Sequence, residues 1–367
     1  MRVLFVYCYC TMGGVETGMR FRIAGLAEQG IEAHGLFLRD YGGKAALQGL
    51  EDRVFVGADE KRFLQILKEG AYDVVSIIDS FEVFEWLEKA NYAGRVVVEL
   101  RSTYEHTLQK LVVMAGRRVD AILVPSHFQA KNIQPFLPKG FVGQVPIHVV
   151  PNFVPLDVFS PTQVSVAADQ PPIVCWIGRI DPHKNWPEFL EICQKLAGRA
   201  GIEFWMVGGG RSDAARRDEF RKALGQDPDV AGRLRWWPIL HSKSMPRLYS
   251  MVASSGGCLL LTSKCESFGF AALEAQACGC PVVSARVGAL VEVVEDGKTG
   301  FLYSLGDIGD AARKVSTILD DPKTDRAFRE EGPRLMRERF DPGDCLGKFA
   351  QALRPPASGA RKSGEAL

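Results

Sequence analysis

The sequence predicts an α/β protein made of two parallel-sheet halves, and three observations carry that prediction. Short β-branched runs alternate with amphipathic stretches from the first residues onward; a proline-rich break interrupts the rhythm at 151–169; the alternation then restarts at Ile173. Strand, helix, strand, helix in succession calls for a parallel sheet covered on both faces. The chain of 367 residues is 46% hydrophobic and 24% charged, which suffices for real cores. At roughly 150 residues per domain, its length fits two domains.

In the first half the strands are expected at Arg2 to Cys8, Ile31 to Leu38, Tyr72 to Ile78, Arg95 to Leu100, Val119 to Val124 and Pro146 to Val150. Helical patterns fill the gaps at Val15 to Gln29, Lys61 to Lys68, Phe81 to Ala90 and Thr103 to Ala115. This gives a Rossmann-like domain over 1–152. The stretch 153–172, with Pro155, Pro161 and Pro171-Pro172, reads as a linker. A second Rossmann-like domain over 173–340 takes strands near Ile173 to Gly178, Ile202 to Val207, Arg233 to Trp236, Cys258 to Thr262, Pro281 to Ser284 and Gly300 to Tyr303. Helices at Ile308 to Leu319 and Arg326 to Arg339 close it, a helix within 341–354 is expected to pack back on the first domain, and 355–367 reads as a disordered tail. Two such sheets facing each other would form a central cleft at their strand carboxyl ends, where α/β folds bind ligands.

Charge and composition exclude several function classes. Lys plus Arg (45) against Asp plus Glu (44) leaves a formal charge of +1, which gives no general attraction for nucleic acid. The stretch Met251 to Cys265, whose one charge is Lys264, is too short and too rich in Ser and Gly to span a bilayer. Nine cysteines in a large chain without a secretory pattern point to reduced thiols and a cytoplasmic setting. The pairs Cys8/Cys10 and Cys278/Cys280 lack zinc spacing, and the one Asp-x-Asp, Asp227-Pro228-Asp229, reads as a polar turn, so no metal site is expected.

Three motifs could carry chemistry. Gly13-Gly14-Val15-Glu16 lies between the first strand and the first helix, where glycines let backbone amides approach a phosphate; a simple tight turn is the alternative. Gly178-Arg179-Ile180-Asp181-Pro182-His183-Lys184-Asn185 leaves the first strand of the second half with two cations that can converge on a diphosphate; exposed charges beside a turn are the alternative. Cys265-Glu266-Ser267-Phe268-Gly269-Phe270 leads into a helix carrying Glu274. Two carboxylates there suit a hydroxyl-rich ligand, and the amides at the helix start can donate; a helix-dipole residue and a solvated helix position are the alternatives.

Taken with Val150-Pro151-Asn152-Phe153-Val154, Val207-Gly208-Gly209-Gly210, Pro281-Val282-Val283 and Gly288-Ala289-Leu290-Val291-Glu292, these motifs make nearly the whole chain resemble the retaining GT-B glycosyltransferases. That large family includes sucrose synthase and many bacterial hexosyltransferases. The resemblance implies a GT-B fold, two Rossmann-like domains facing a central cleft. It implies that Arg179 and Lys184 clamp the donor diphosphate, that Glu266 meets the donor sugar with the backbone of Phe268, Gly269 and Phe270, and that Glu274 holds the ribose. Gly14 would lie near phosphate and acceptor, Gly209 near the nucleotide, and the base near Ile239 and Leu240. Members often carry a His after the strand that here reads Val96 to Leu100; Arg101 stands at that place, with His106 further on.

The resemblance implies transfer of a sugar from a nucleotide-diphosphate sugar, UDP before GDP, to an acceptor hydroxyl with retention. No cofactor is expected beyond the nucleotide sugar itself, and no metal, because Arg, Lys and a helix terminus neutralise the leaving diphosphate. The acceptor could be a saccharide, a lipid-linked molecule or a small molecule. A lipid-linked acceptor would bring a peripheral contact at the inner membrane, for which Lys110, Arg117 and Arg118 could serve, although with a neutral overall charge a solvated helix face is the preferred reading. A nucleotide-sugar epimerase and a non-catalytic nucleotide-sugar binder are the competing readings.

Overall fold

A computed structural model describes residues 1–11, 13–47, 49–167, 169–199 and 201–356. The chain divides into two compact units. The first comprises Met1–Val124, Ile133–Val150 and the segment from Gly343 on; the second comprises Pro125–Asn132 and Pro151–Pro342.

The first unit is built on a seven-stranded, all-parallel sheet: β1 (Arg2–Cys10), β2 (Glu32–Asp40), β3 (Val54–Val56), β4 (Val74–Ile78), β5 (Arg95–Glu99), β6 (Ala121–Val124) and β7 (Ile147–Val149). Their spatial order is β3-β2-β1-β4-β5-β6-β7. The strands are Val- and Ile-rich because both faces are covered; every residue of β4 and β6 is buried. The helix Pro342–Leu353 belongs to this unit. Its Phe349 ring lies 5.8 Å from Phe5, and Leu346 fills the space a side chain at Gly25 would need.

The second unit carries a six-stranded parallel sheet: β8 (Ile173–Ile177), β9 (Glu203–Val207), β10 (Leu234–Trp237), β11 (Cys258–Leu261), β12 (Val282–Ala285) and β13 (Gly300–Tyr303). The order β10-β9-β8-β11-β12-β13 is the doubly wound arrangement, which reverses direction between β8 and β11. A core cluster led by Trp176, Phe189, Phe204, Phe220 and Tyr303 fills one side of it. Among the described residues, no helix is long and apolar enough to cross a membrane.

Some expectations need adjusting. The strand β3 was not foreseen, and the 153–172 stretch is more than a tether, since Phe153, Val154 and Phe159 are buried and the Thr162 amide donates to Ser250 Oγ at 3.2 Å. Residues 357–367 of the expected tail lie outside the described residues.

The first unit also buries a charge cluster. Glu99, the last residue of β5, is fully buried and accepts from Arg22 at 2.5 Å, from Arg101 at 2.6 Å and from Ser76 Oγ at 2.8 Å. Burial alone would raise its pKa, but the two guanidinium groups outweigh it and hold the carboxyl at about 2. Replacing Glu99 with Gln leaves two buried cations without their counter-charge. Glu99→Gln should destabilise the protein by ~3–5 kcal/mol, read as a fall in the chemical-denaturation midpoint of the first unit.

Candidate functional site

In a doubly wound sheet the ligand crevice lies beyond the carboxyl ends of the two strands where the order reverses. In the second unit those strands are β8 and β11, and the loops that leave them carry the Arg179/Lys184 and Glu266 motifs.

Asp181 organises the first loop. It is 7% exposed; its Oδ1 accepts the amides of His183 at 3.0 Å and Lys184 at 2.9 Å, and its Oδ2 accepts Arg179 Nε at 2.8 Å. Burial opposes its ionisation, but Arg179 and the Lys184 amide prevail and hold its carboxyl below the usual range. Arg179 is thereby aimed while its side chain stays 62% exposed. Lys184 is more enclosed, and its Nζ lies 2.5 Å from Glu266 Oε1. Ser263 Oγ donates to the same oxygen at 2.7 Å. Desolvation would raise the Glu266 pKa, yet Lys184 and Ser263 lower it overall, so the carboxylate stays ionised.

The two loops are stitched by backbone. The Lys264 amide donates to the His183 carbonyl at 2.8 Å, and Thr262 Oγ1 donates towards the carbonyls of Lys184 and Asn185, each at 3.0 Å. A third loop closes against them. Gly288, at φ 54°, leaves no room for a Cβ, which would lie 2.4 Å from the Glu266 carbonyl oxygen, and the Ala289 amide donates to that oxygen at 2.9 Å.

The remaining residues of the motifs take these places. Gly269, at φ 106°, caps the helix Phe270–Ala277 and packs against Leu290. Phe268 is buried, 5.9 Å from the Phe270 ring and 5.6 Å from Phe340. Glu274 lies on that helix and accepts the hydroxyl of the buried Tyr249 at 2.8 Å. Gly209 lets the loop after β9 approach Ile180, whose Cγ1 would lie 2.6 Å from an added Cβ. Leu240 is half-buried beside the exposed Ile239. Asp227 accepts the Val230 amide at 3.0 Å and so caps a short helix, and among the described residues no group of His, Cys, Asp and Glu is arranged to hold a metal.

In the first unit, Gly14 opens the helix Gly14–Gly25 after Gly13. The loop is closed by its own Glu16, which accepts the Thr11 amide at 2.6 Å; burial raises the pKa of this carboxyl. Arg101 is 7% exposed, and its guanidinium is engaged with Glu99 in the buried cluster. His106 stands in a short helix, Glu105–Leu108, with its ring 5.5 Å from Tyr104. Of the basic residues considered for membrane contact, Arg117 pairs with Glu88 at 3.0 Å and Arg118 with Asp120 at 3.1 Å.

One residue escaped the sequence analysis. Asp79 follows β4, next to the reversal point of the first sheet, and holds the left-handed conformation at φ 43°. Its two oxygens accept the Arg101 amide at 3.2 Å. Non-glycine residues in this conformation gather at functional sites, and a half-buried carboxyl near the carboxyl end of a central strand fits that rule. The only sequence signal was an acidic residue directly after a buried strand.

The comparisons with known proteins fit this geometry. Residues 161–335 match the family model described as glycosyl transferases group 1. The solved structure of Anabaena HepE in complex with UDP-glucose superposes with a TM-score of 0.80 at 18% identity, over 96% of this chain and 99% of that one. Sucrose-phosphate synthase from Thermosynechococcus elongatus gives 0.79 at 18% identity, over 95% and 97%. The fold is GT-B, and residues 161–335 belong to glycosyl transferases group 1. Among curated relatives, the D-inositol 3-phosphate glycosyltransferase of Mycolicibacterium smegmatis is 34% identical over 231 residues, 59% of this chain and 51% of the relative. A sulfoquinovosyl transferase of Arabidopsis thaliana is 27% identical over 236 residues, 61% and 42%. The chain spans about half the length of the curated relatives it matches.

Asp79 gives the first unit a pH signature. Burial pushes its carboxyl up from 3.8 to about 7, against the amide and charge of Arg101. The folded chain therefore holds this proton more tightly than the unfolded chain, and its contribution to stability falls as pH rises from 3.8 towards about 7, then levels off. Asp79→Asn keeps a side chain tolerant of positive φ and removes the titration. Denaturation of the variant should match wild type near pH 4 and be the more stable of the two at pH 8; equal midpoints at both pH values would refute the assignment.

Proposed function

We propose that this GT-B protein is a retaining glycosyltransferase that moves a sugar from a nucleotide-diphosphate sugar, UDP before GDP, to an acceptor hydroxyl. The observation that carries the reading is the pairing of Lys184 with Glu266 between the loops of β8 and β11, with Arg179 aimed by Asp181 from the same loop. A cation beside a carboxylate suits a ligand that is anionic at one end and hydroxylated at the other. A nucleotide-diphosphate sugar is such a ligand.

In this reading Arg179 and Lys184 bind the diphosphate, Glu266 accepts from sugar hydroxyls, and the amides at the start of the helix Phe270–Ala277 donate to the donor. Glu274 holds the ribose, Gly209 and Leu240 border the nucleotide, and Gly14 borders the acceptor. Arg101 serves the acceptor side through the cluster it forms with Glu99. The bond from the anomeric carbon to the diphosphate oxygen breaks, a bond to the acceptor oxygen forms on the same face, and the leaving phosphate takes the acceptor proton. The cations carry the developing negative charge, so the reading assigns no metal. The UDP-glucose in the HepE complex supports a uridine donor, and the inositol phosphate in the relative's name supports a polyhydroxylated acceptor.

A thermal-shift screen against nucleotide sugars tests the donor, since a true donor at 100 times its dissociation constant adds ~2.7 kcal/mol of apparent stability. Arg179→Ala and Lys184→Ala should each slow turnover at saturating donor by at least ~100-fold. Unchanged turnover in both would remove the proposed role. Conversion of the sugar while it stays attached to its nucleotide, without acceptor, would indicate an epimerase.

A further inference from the structure

The first unit contains a groove of about 660 Å³ that none of the motifs reaches. It lies at the carboxyl end of β2 and β3, bordered by Arg39, by Asp59 and Arg62 at the start of the helix Glu60–Gly70, and by Glu82 and Trp86 from the helix after β4. The volume falls in the range of small-molecule sites. Its chemistry is mixed, with an indole on one wall and charged hydrogen-bonding groups on the others.

The charges balance. Glu60 also borders the groove but is paired with Lys89 at 2.8 Å, which leaves Arg39 and Arg62 against Asp59 and Glu82. A phosphate or carboxylate would find no net attraction there. Asp59 is occupied by capping its helix, accepting the Arg62 amide at 2.9 Å. Glu82 is exposed and accepts from the Cys8 thiol at 3.5 Å, and burial together with Glu82 raises that thiol to about 11, so the thiol stays the donor.

Aromatic surface continues beyond the groove. Trp86 is half-buried and is braced by Phe63 at 5.3 Å. Tyr9, the register partner of Arg39, is 42% exposed, and its ring lies 5.5 Å from that of Tyr41, itself 51% exposed. Large exposed aromatics beside hydrogen-bonding charges suit a ring with an apolar C–H face and a hydroxylated edge. A pyranose has that shape.

The position sets the groove apart from the motifs. The reversal point of this sheet lies between β1 and β4, where Gly13-Gly14 and Asp79 stand, and β2 and β3 lie one and two strands further out. Those offsets are ~5 and ~10 Å, one and two strand spacings.

We propose that this groove is a saccharide subsite that holds an uncharged pyranose unit of the acceptor, other than the unit that carries the reacting hydroxyl. The inference rests on the glycosyl-transfer reading and deepens it: the acceptor is a saccharide of at least two units. Arg39 and Glu82 bind ring hydroxyls, as donor and acceptor respectively, and Trp86 supports the apolar face.

The full-length protein can be tested by saturation-transfer NMR with three neutral disaccharides, maltose, cellobiose and lactose, and with glucose 1-phosphate as the anionic probe. At least one disaccharide should receive saturation on its ring protons. Arg39→Ala and Glu82→Gln should each weaken that binding ~10-fold, the effect of losing a hydrogen bond to a charged group, while the thermal shift from the nucleotide sugar is retained. Absence of any disaccharide signal, equal signals in both variants, or binding of glucose 1-phosphate alone would overturn the subsite. A wild-type protein with no donor-induced shift would instead count against the glycosyl-transfer reading, so the two failures are distinguishable.

Discussion

The constraint on which the second unit depends is the approach of Lys184 to Glu266 at the open end of the sheet. Both side chains are partly enclosed, with 24% and 18% of their surface exposed. Removing charges from water costs several kcal/mol per ion, and the pair offsets that cost only if its geometry is held. The surroundings hold it. Asp181 fixes the Lys184 backbone, Thr262 fixes its carbonyl, Ser263 takes up the same Glu266 oxygen, and Gly288 lets a third loop rest on the Glu266 backbone. These contacts explain why glycine and small hydroxyl residues cluster in the motifs. They are the residues that allow backbones to meet.

The first unit solves a similar problem without leaving it open. Glu99 collects two guanidinium groups and a hydroxyl, and the whole cluster is sealed between sheet and helices. Arg101 is part of this arrangement because residues two apart on an extended segment share a face, and Glu99 and Arg101 are two apart. The spacing was visible in the sequence. Arg101 stands where the family often carries a histidine, and its guanidinium is bound to a buried carboxylate. Any role on the acceptor side passes through that cluster.

Much of the fold was legible because parallel strands buried on both faces leave continuous β-branched runs. Val74–Ile78 and Arg95–Glu99, with its Val96-Val97-Val98 run, are of this kind. The strand Val54–Val56 was not legible: three half-buried residues carry too little periodicity. The expected helix at 103–115 is instead a single turn, Glu105–Leu108, followed by a 3₁₀ segment to Met114. The adjacent β-branched Val112 and Val113 disfavour a continuous α-helix there. Within the site, the sequence supplied the residues but not their pairing, since Lys184 and Glu266 lie 82 positions apart. Asp79 stayed hidden because a left-handed backbone leaves no pattern when the residue is not glycine.

Glu274 shows how a buried neighbour can prepare a carboxylate for a ligand. Tyr249 is fully buried and donates its hydroxyl to Glu274 from the helix Met245–Ser254. Burial, with the nearby carboxylate, drives the phenol pKa well above its ordinary value, so the proton stays on Tyr249 and the bond keeps its direction. A carboxylate offers about four acceptor positions, and the Tyr249 bond by itself does not exhaust them. Held at one oxygen, Glu274 loses rotamer freedom during folding rather than on binding, which under the proposed reading lowers the cost of accepting a pair of ribose hydroxyls. Under the proposed reading, the tyrosine is therefore a positioning residue: it touches no substrate, yet it fixes the direction in which Glu274 can accept.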